Sequence, residues 1–171
     1  MLTEVERVVL ATGVLLLGGQ SLLAQARAVI NPDCEKLLPA TLVAKASGRA
    51  KIQLIAPDPA VGAGGDCNYG IDTKTMVLLV NLNRFARPQD FQRYKTEEMF
   101  RTNQKPIPGL GDEAFTVDGV APGSVVVARK GKTLVILSSF VDIDPQTGAR
   151  KGPYVSRAQL IELARQMLAK S

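Results

Sequence analysis

Histidine and tryptophan are absent from this chain of 171 residues, and cysteine occurs only twice. Without histidine the usual general base near neutral pH and the commonest metal ligand are missing, so Ser-His-Asp and Cys-His arrangements and most zinc sites are excluded. Catalysis would have to run on carboxylates, lysine, tyrosine or a thiol. No cofactor and no metal site is expected. A strong charge bias is lacking too: 21 Lys plus Arg stand against 16 Asp plus Glu, a net of +5. The first 28 residues contribute two of each sign, so the remainder keeps the whole excess. Such a balance favours loose contact with anionic surfaces and says nothing of fold.

What is present is ordinary globular composition, 46% hydrophobic and 22% charged, in a length that suits one domain with its own core. Residues 8–17 form an apolar run containing Leu15-Leu16-Leu17. It is shorter than the roughly 20 residues of a spanning helix. Ala24-Gln25-Ala26 and Ala26-Arg27-Ala28 both fit a small-x-small cleavage site, so residues 1–28 read as a secretory signal and 29–171 as a single domain, periplasmic or secreted. Glu4 and Glu6 offset Arg7 at the start of the run, which leaves an uncleaved anchor or a misplaced start codon as alternatives.

In an exported chain, Cys34 and Cys67 most simply form one disulfide. Closing a loop of about 34 residues stabilises a fold by about 4 kcal/mol on chain entropy. Asn31-Pro32-Asp33 is not the approach of a lipidated cysteine, and the spacing is far from a Cys-x-x-Cys redox pair.

Pro39 and Gly48 bracket a short helix over 39–47 with Leu38, Leu42, Val43 and Ala46 as its buried stripe. Residues 51–55 alternate as a strand. The Gly-rich run Gly62-Ala63-Gly64-Gly65-Asp66 lacks the Gly-Lys-Ser/Thr ending of a phosphate loop and reads as a flexible hairpin loop. Strands are expected over 67–72 and 75–82, then over 125–128 and 134–137, the last two joined by a tight turn at Lys130-Gly131. Because these runs are apolar at consecutive positions, both faces of the sheet need cover. A helix from Pro88 to about residue 102, with Phe91, Tyr94 and Met99 on one side, and a terminal helix are available for it. The terminal helix is the clearest element. Ser156 and Gln159 make a capping box, Val155 and Leu160 a hydrophobic staple, and Leu160, Leu163, Ala164, Met167 and Leu168 one apolar face. Lys170 suits its carbonyl end.

The succession Cys34-Glu35-Lys36-Leu37-Leu38-Pro39, the Gly48 stop, Cys67-Asn68-Tyr69, a central helix, Gly109-Leu110-Gly111-Asp112-Glu113-Ala114-Phe115 and a hairpin turning at Gly131 resembles small bacterial exported domains of unknown function. Many of these are actinobacterial lipoproteins, and the layout is similar to the PsbP-like sandwich. The resemblance implies an α+β fold, mainly an antiparallel sheet covered by helices on both faces, and an envelope location. It supplies no catalytic residues.

Three sets of residues are candidates for function. Asp112 and Glu113 follow two glycines and offer paired carboxylates for acid/base work, which needs a raised pKa and a pocket; the plainer reading is a capped turn with Phe115 plugging the core. Asp142-Ile143-Asp144-Pro145-Gln146-Thr147-Gly148 opens like a calcium loop, but Pro153 stands where a bidentate Glu is required, so it reads as a connection. Arg84, Arg87, Arg93, Arg101, Lys105, Arg150 and Lys151, interleaved with Phe85, Phe91 and Phe100, form a basic set. Asp90, Glu97 and Glu98 dilute its charge, and nucleic acid is not the expected partner. Arg84, Arg87, Arg93, Asp112 and Glu113 are the expected ligand or partner contacts, and no residue is assigned as catalytic. The sequence thus points to an exported, non-catalytic envelope domain that binds a protein or a small anionic or apolar ligand, touching a membrane only through an uncleaved leader. The alternative is a carboxylate hydrolase using Asp112 or Glu113.

Overall fold

The computed structural model describes residues 33–56, 66–101, 103–120 and 123–170. The expected signal segment, 1–28, and most of the Gly-rich loop, 62–65, lie outside them. The described chain runs α1 (Cys34–Leu37), α2 (Ala40–Ser47), β1 (Gln53–Ile55), β2 (Cys67–Gly70), β3 (Met76–Asn83), α3 (Pro88–Thr96), α4 (Glu98–Arg101), β4 (Gln104–Pro106), β5 (Glu113–Val120), β6 (Gly123–Lys130), β7 (Thr133–Ile143), β8 (Arg150–Pro153) and α5 (Arg157–Ala169). All neighbouring strands are antiparallel, in the order β1-β2-β3-β7-β6-β5-β4, with β8 pairing the far end of β7.

β6 and β7 lie at the centre because their sequences leave no side to face water. Val125 to Ala128 and Leu134 to Leu137 are buried throughout, and the register pairs Val127 with Ile136 and Ala128 with Val135. Alternation sends Val126, Ala128, Val135 and Leu137 into one cluster with Leu37, Leu38 and Val43 and the α5 side chains Leu160, Leu163, Ala164, Met167 and Leu168. Val125, Val127, Leu134 and Ile136 enter a second cluster with Phe91, Phe100, Phe115 and Val117. The two phenylalanines supplied by α3 and α4 are thus the cover on that side, Phe91 meeting Phe115 edge to face at 5.5 Å.

This corrects the expected architecture. Helices do not form a layer over both faces: the fold is mostly an antiparallel sheet of eight strands with few short helices, 39% strand against 30% helix among the described residues. The physical reason lies in the second face. Two aromatic rings cover the apolar patch there, and nearer β2 the partners of Ile136 and Leu79 across the ladder are Asn81 and Ser138, residues that need no helical lid. The central helix is also broken, since Glu97 adopts extended backbone with ψ 134 between α3 and α4.

Other expectations hold with small shifts. α2 begins after Pro39 rather than at it, and Gly48 closes it in the left-handed region. The tight turn falls on Gly131-Lys132, because Lys130 pairs with Thr133; Gly131 takes the positive φ of 56° that opens a two-residue hairpin. Ser156 and Gln159 do form the capping box, and the five expected residues of α5 are its buried face. Lys170 behaves differently. Its ammonium donates to the carbonyls of Lys36 and Leu37 at 3.2 and 3.3 Å, capping α1 rather than its own helix.

α1 is fastened from three directions. Cys34 and Cys67 are joined as a disulfide, with Cα atoms 5.6 Å apart; Lys170 holds the carbonyl end; and the Tyr69 hydroxyl, fully buried, donates to the Leu38 carbonyl at 2.6 Å. Burial, and secondarily the charge of Glu35, push the Tyr69 phenol well above its ordinary value. Its folded-state pKa is therefore raised above the unfolded one, so its contribution to stability is full below about pH 10 and declines as pH rises through that value. Urea melts from about pH 8 to about pH 11 are expected to show falling stability. Tyr69→Phe should flatten that decline while costing about 1 kcal/mol near neutrality through the lost hydrogen bond.

Candidate functional site

The segment between β4 and β5 carries the chain from one face of the sheet to the other, for Leu110 is buried in the first cluster and Phe115 in the second. Gly111 is required in the crossing. It has φ 66°, and a Cβ there would stand 2.3 Å from the Arg129 carbonyl oxygen. Asp112 then donates its N–H to that same carbonyl at 2.7 Å and accepts the Gly131 N–H through its carboxylate at 2.7 Å. Glu113 lies beside it at the start of β5.

Arg129, whose residue exposure is only 9%, organises both acids. Its guanidinium reaches Glu113 Oε1 at 3.1 Å and Asp112 Oδ2 at 3.4 Å, and donates to the Gly131 carbonyl at 2.7 Å. The second Glu113 oxygen accepts from Gln92 Nε2 at 2.9 Å and has the Lys95 ammonium at 3.9 Å. Each carboxylate is spent on holding the crossing, the β6–β7 turn and α3 together. A general acid or base needs a free oxygen aimed into a pocket; the small hollow that Asp112 lines, about 280 Å³, is shared with the cations Lys130 and Arg165 and the end of α5.

The structure disperses the basic set. Phe91 and Phe100 are core residues. Arg93 pairs with Glu97, Lys105 with Asp118, and Lys151 with Asp144. Arg84 and Arg87 remain together, on the turn between β3 and α3, with Phe85 between them. In the loop that resembled a calcium site, the Asp144 carboxylate accepts the N–H groups of Gln146 and Thr147 at 2.9 and 3.1 Å. The ammonium of Lys151, first, and these two N–H groups hold it below the usual carboxylate range. Asp142 pairs with Arg49. The loop is a closed connection.

A larger concavity among the described residues lies elsewhere. β7 runs to Ile143, yet its ladder with β3 stops at Leu78 and Ser139, although β3 begins two residues earlier. Over that stretch the two strands separate, and a groove of about 500 Å³ opens between them. Met76 and the turn residues Thr73, Lys74 and Thr75 form one lip; Phe140, Val141 and Ile143 form the other; Ile55 and Tyr154 close the ends. Ile143 is 52% exposed on this lip. Tyr154 is fixed by the Arg49 guanidinium, 5.2 Å above its ring, while burial and then the neighbouring Asp142 push its hydroxyl pKa upward. Asp72 is occupied as well, accepting the N–H groups of Lys74 and Thr75 at 2.8 and 2.7 Å. The Lys74 ammonium makes no ion pair among the described residues. The groove is thus mainly apolar, with Lys74, Thr73, Thr75 and Tyr154 as its polar lining.

Of the groove residues only Ile143 falls in a candidate motif, the calcium-like run, and not for this role. β7 keeps a partner throughout, β6 as far as Phe140 and β8 beyond it, and only its ladder with β3 ends early. No protein-family model matches the chain, and no curated protein or solved structure matches it either.

A double-mutant cycle tests the clamp. Glu113→Leu is expected to destabilise the fold by about 2 kcal/mol, because it leaves a nearly buried guanidinium short of its partner. Combining it with Arg129→Met should recover part of that loss, giving a coupling of at least about 1 kcal/mol in urea melts.

Proposed function

We propose that this protein is an exported, non-catalytic binding domain of the cell envelope, and that it takes a small amphiphile, apolar in body and anionic at one end, into the groove between β3 and β7. The groove carries the reading: it is the largest concavity among those described, its walls are apolar, and the cation at its mouth is Lys74. The Cys34–Cys67 disulfide supports an oxidising compartment, and the apolar run followed by Ala-x-Ala supports export. Hydrolysis by Asp112 or Glu113 has less in its favour, since both carboxylates are held by Arg129 and backbone N–H groups.

Two measurements test the parts separately. Intact mass of protein recovered from the periplasm is expected to show loss of the leader and no alkylatable thiol before reduction; a full-length chain with two free thiols would remove the export reading. For the groove, 1-anilinonaphthalene-8-sulfonate serves as a probe with the right division into apolar rings and an anion. Its fluorescence is expected to rise saturably at one site. Ile143→Asp should weaken binding about tenfold or more, the worth of one well-buried aliphatic side chain, and Lys74→Gln several-fold, with melting temperatures unchanged. Unsaturable enhancement, or affinity indifferent to Ile143→Asp, would exclude the groove as the site.

A further inference from the structure

Phe85 is 85% exposed, and nothing about its turn is loose. The Phe85 N–H is held by the Asn83 side chain at 2.8 Å, the Ala86 N–H by the Lys132 carbonyl at 2.8 Å, and Ala86 itself is buried. Arg87 and Asp90 then cap α3, whose first residue is Pro88. A ring projecting into water from so fixed a backbone is displayed rather than displaced. Around it stand Arg84, Arg87 and, from the adjoining β6–β7 turn, Lys132. Arg84 lies 3.5 Å from Asp33 and Arg87 3.4 Å from Asp90, but these pairs are exposed and hold their partners weakly. Asp66, which also borders the hollow beside Phe85, has its carboxylate turned to the Leu82 N–H.

The same hollow is lined by Asp33, the first described residue. The chain therefore enters the fold beside Phe85, and the apolar run at 8–17 lies upstream of that point. From the groove the turn is separated by the length of β3, eight residues or about 26 Å at some 3.3 Å per residue.

We infer that the turn of Arg84, Phe85 and Arg87, with Lys132, is a contact for an anionic lipid surface. One ring enters the interface and the guanidinium and ammonium groups meet phosphates, a division of labour that membrane-surface segments use. A protein partner is less well served, because the apolar residues beside it among those described, Ala86 and Leu82, are buried or half-buried, and one ring is too small a patch for a stable protein interface. This contact does not depend on the groove or its ligand. It also gives the domain an orientation, with the groove turned away from the bilayer.

The absence of tryptophan makes the test direct. Full-length Phe85→Trp and, as a control on the exposed β7–β8 loop at the opposite end and outside the groove lining, full-length Gln146→Trp are each mixed with vesicles of equal parts phosphatidylglycerol and phosphatidylcholine, with and without brominated acyl chains. Indole emission from the Phe85→Trp protein is expected to shift to the blue and be quenched by the brominated lipid, while emission from the Gln146→Trp protein stays that of a ring in water. Adding Arg84→Gln and Arg87→Gln should lower partition roughly 30-fold, since each cation near an anionic surface is worth about 1 kcal/mol, and high salt should do the same. Binding in which the indole at position 85 remains water-exposed would show that the leader alone holds the membrane and would overturn the contact. So would equal binding to pure phosphatidylcholine, no binding to either vesicle, or shielding at position 85 that follows protein concentration instead of lipid, which would indicate a second copy.

Discussion

Everything in this fold answers to one constraint: β6 and β7 are apolar on both sides and must be kept from water on both. One side is met by α5 and the fastened α1–α2 segment. The other is met by two phenylalanines from a broken helix, and the clamp of Arg129 with Asp112 and Glu113 closes the edge across which the chain passes between faces. Burial of long apolar strands is favourable only as far as cover extends. β7 outruns its cover at Phe140, and the groove begins there. The opening between β3 and β7 follows from the geometry that builds the core.

The polar interactions sort by what they fix. Tyr69 and Lys170 do not add a surface; they hold α1 where its leucines fill the first cluster. Arg129 works similarly at the other side of the sheet, and being nearly buried it depends on its two acids more than they depend on it. Asn68 is an exception, and among the described residues the buried Arg129 Nε also lacks a hydrogen bond. The buried side-chain amide of Asn68 makes no hydrogen bond, a destabilising feature for which the structure offers no compensation at the site.

The sequence is most legible where period and chemistry agree. α5 is readable to its cap and its buried face because an apolar stripe, Ser156 and Gln159 all say the same thing. The disulfide and the β6–β7 hairpin are readable from compartment logic and from Gly131. The layering is not, because continuous apolarity states that cover is needed without stating what supplies it, and Phe91 and Phe100 supply it with two rings. The acids at 112 and 113 are recognisable as a pair, but Arg129 is hidden as their partner, being sixteen residues from Glu113 in sequence and opposite it only in the ladder. The groove is invisible in sequence because it is made by strands that cease to pair, and no local motif marks an end of pairing.

The position of the disulfide has a mechanical consequence. Cys34 is the first residue of α1 and Cys67 the first of β2, so tension applied to the chain ahead of Cys34 passes through the sulfur bridge straight into an interior strand of the sheet. The intervening residues, α1, α2 and β1 among them, hang as a slack loop outside the line of force. A pull that would peel α1 from the core in the reduced protein is borne, in the oxidised one, by β2 and its ladder with β3. The bridge thus sets how the domain carries load as well as how stable it is at rest.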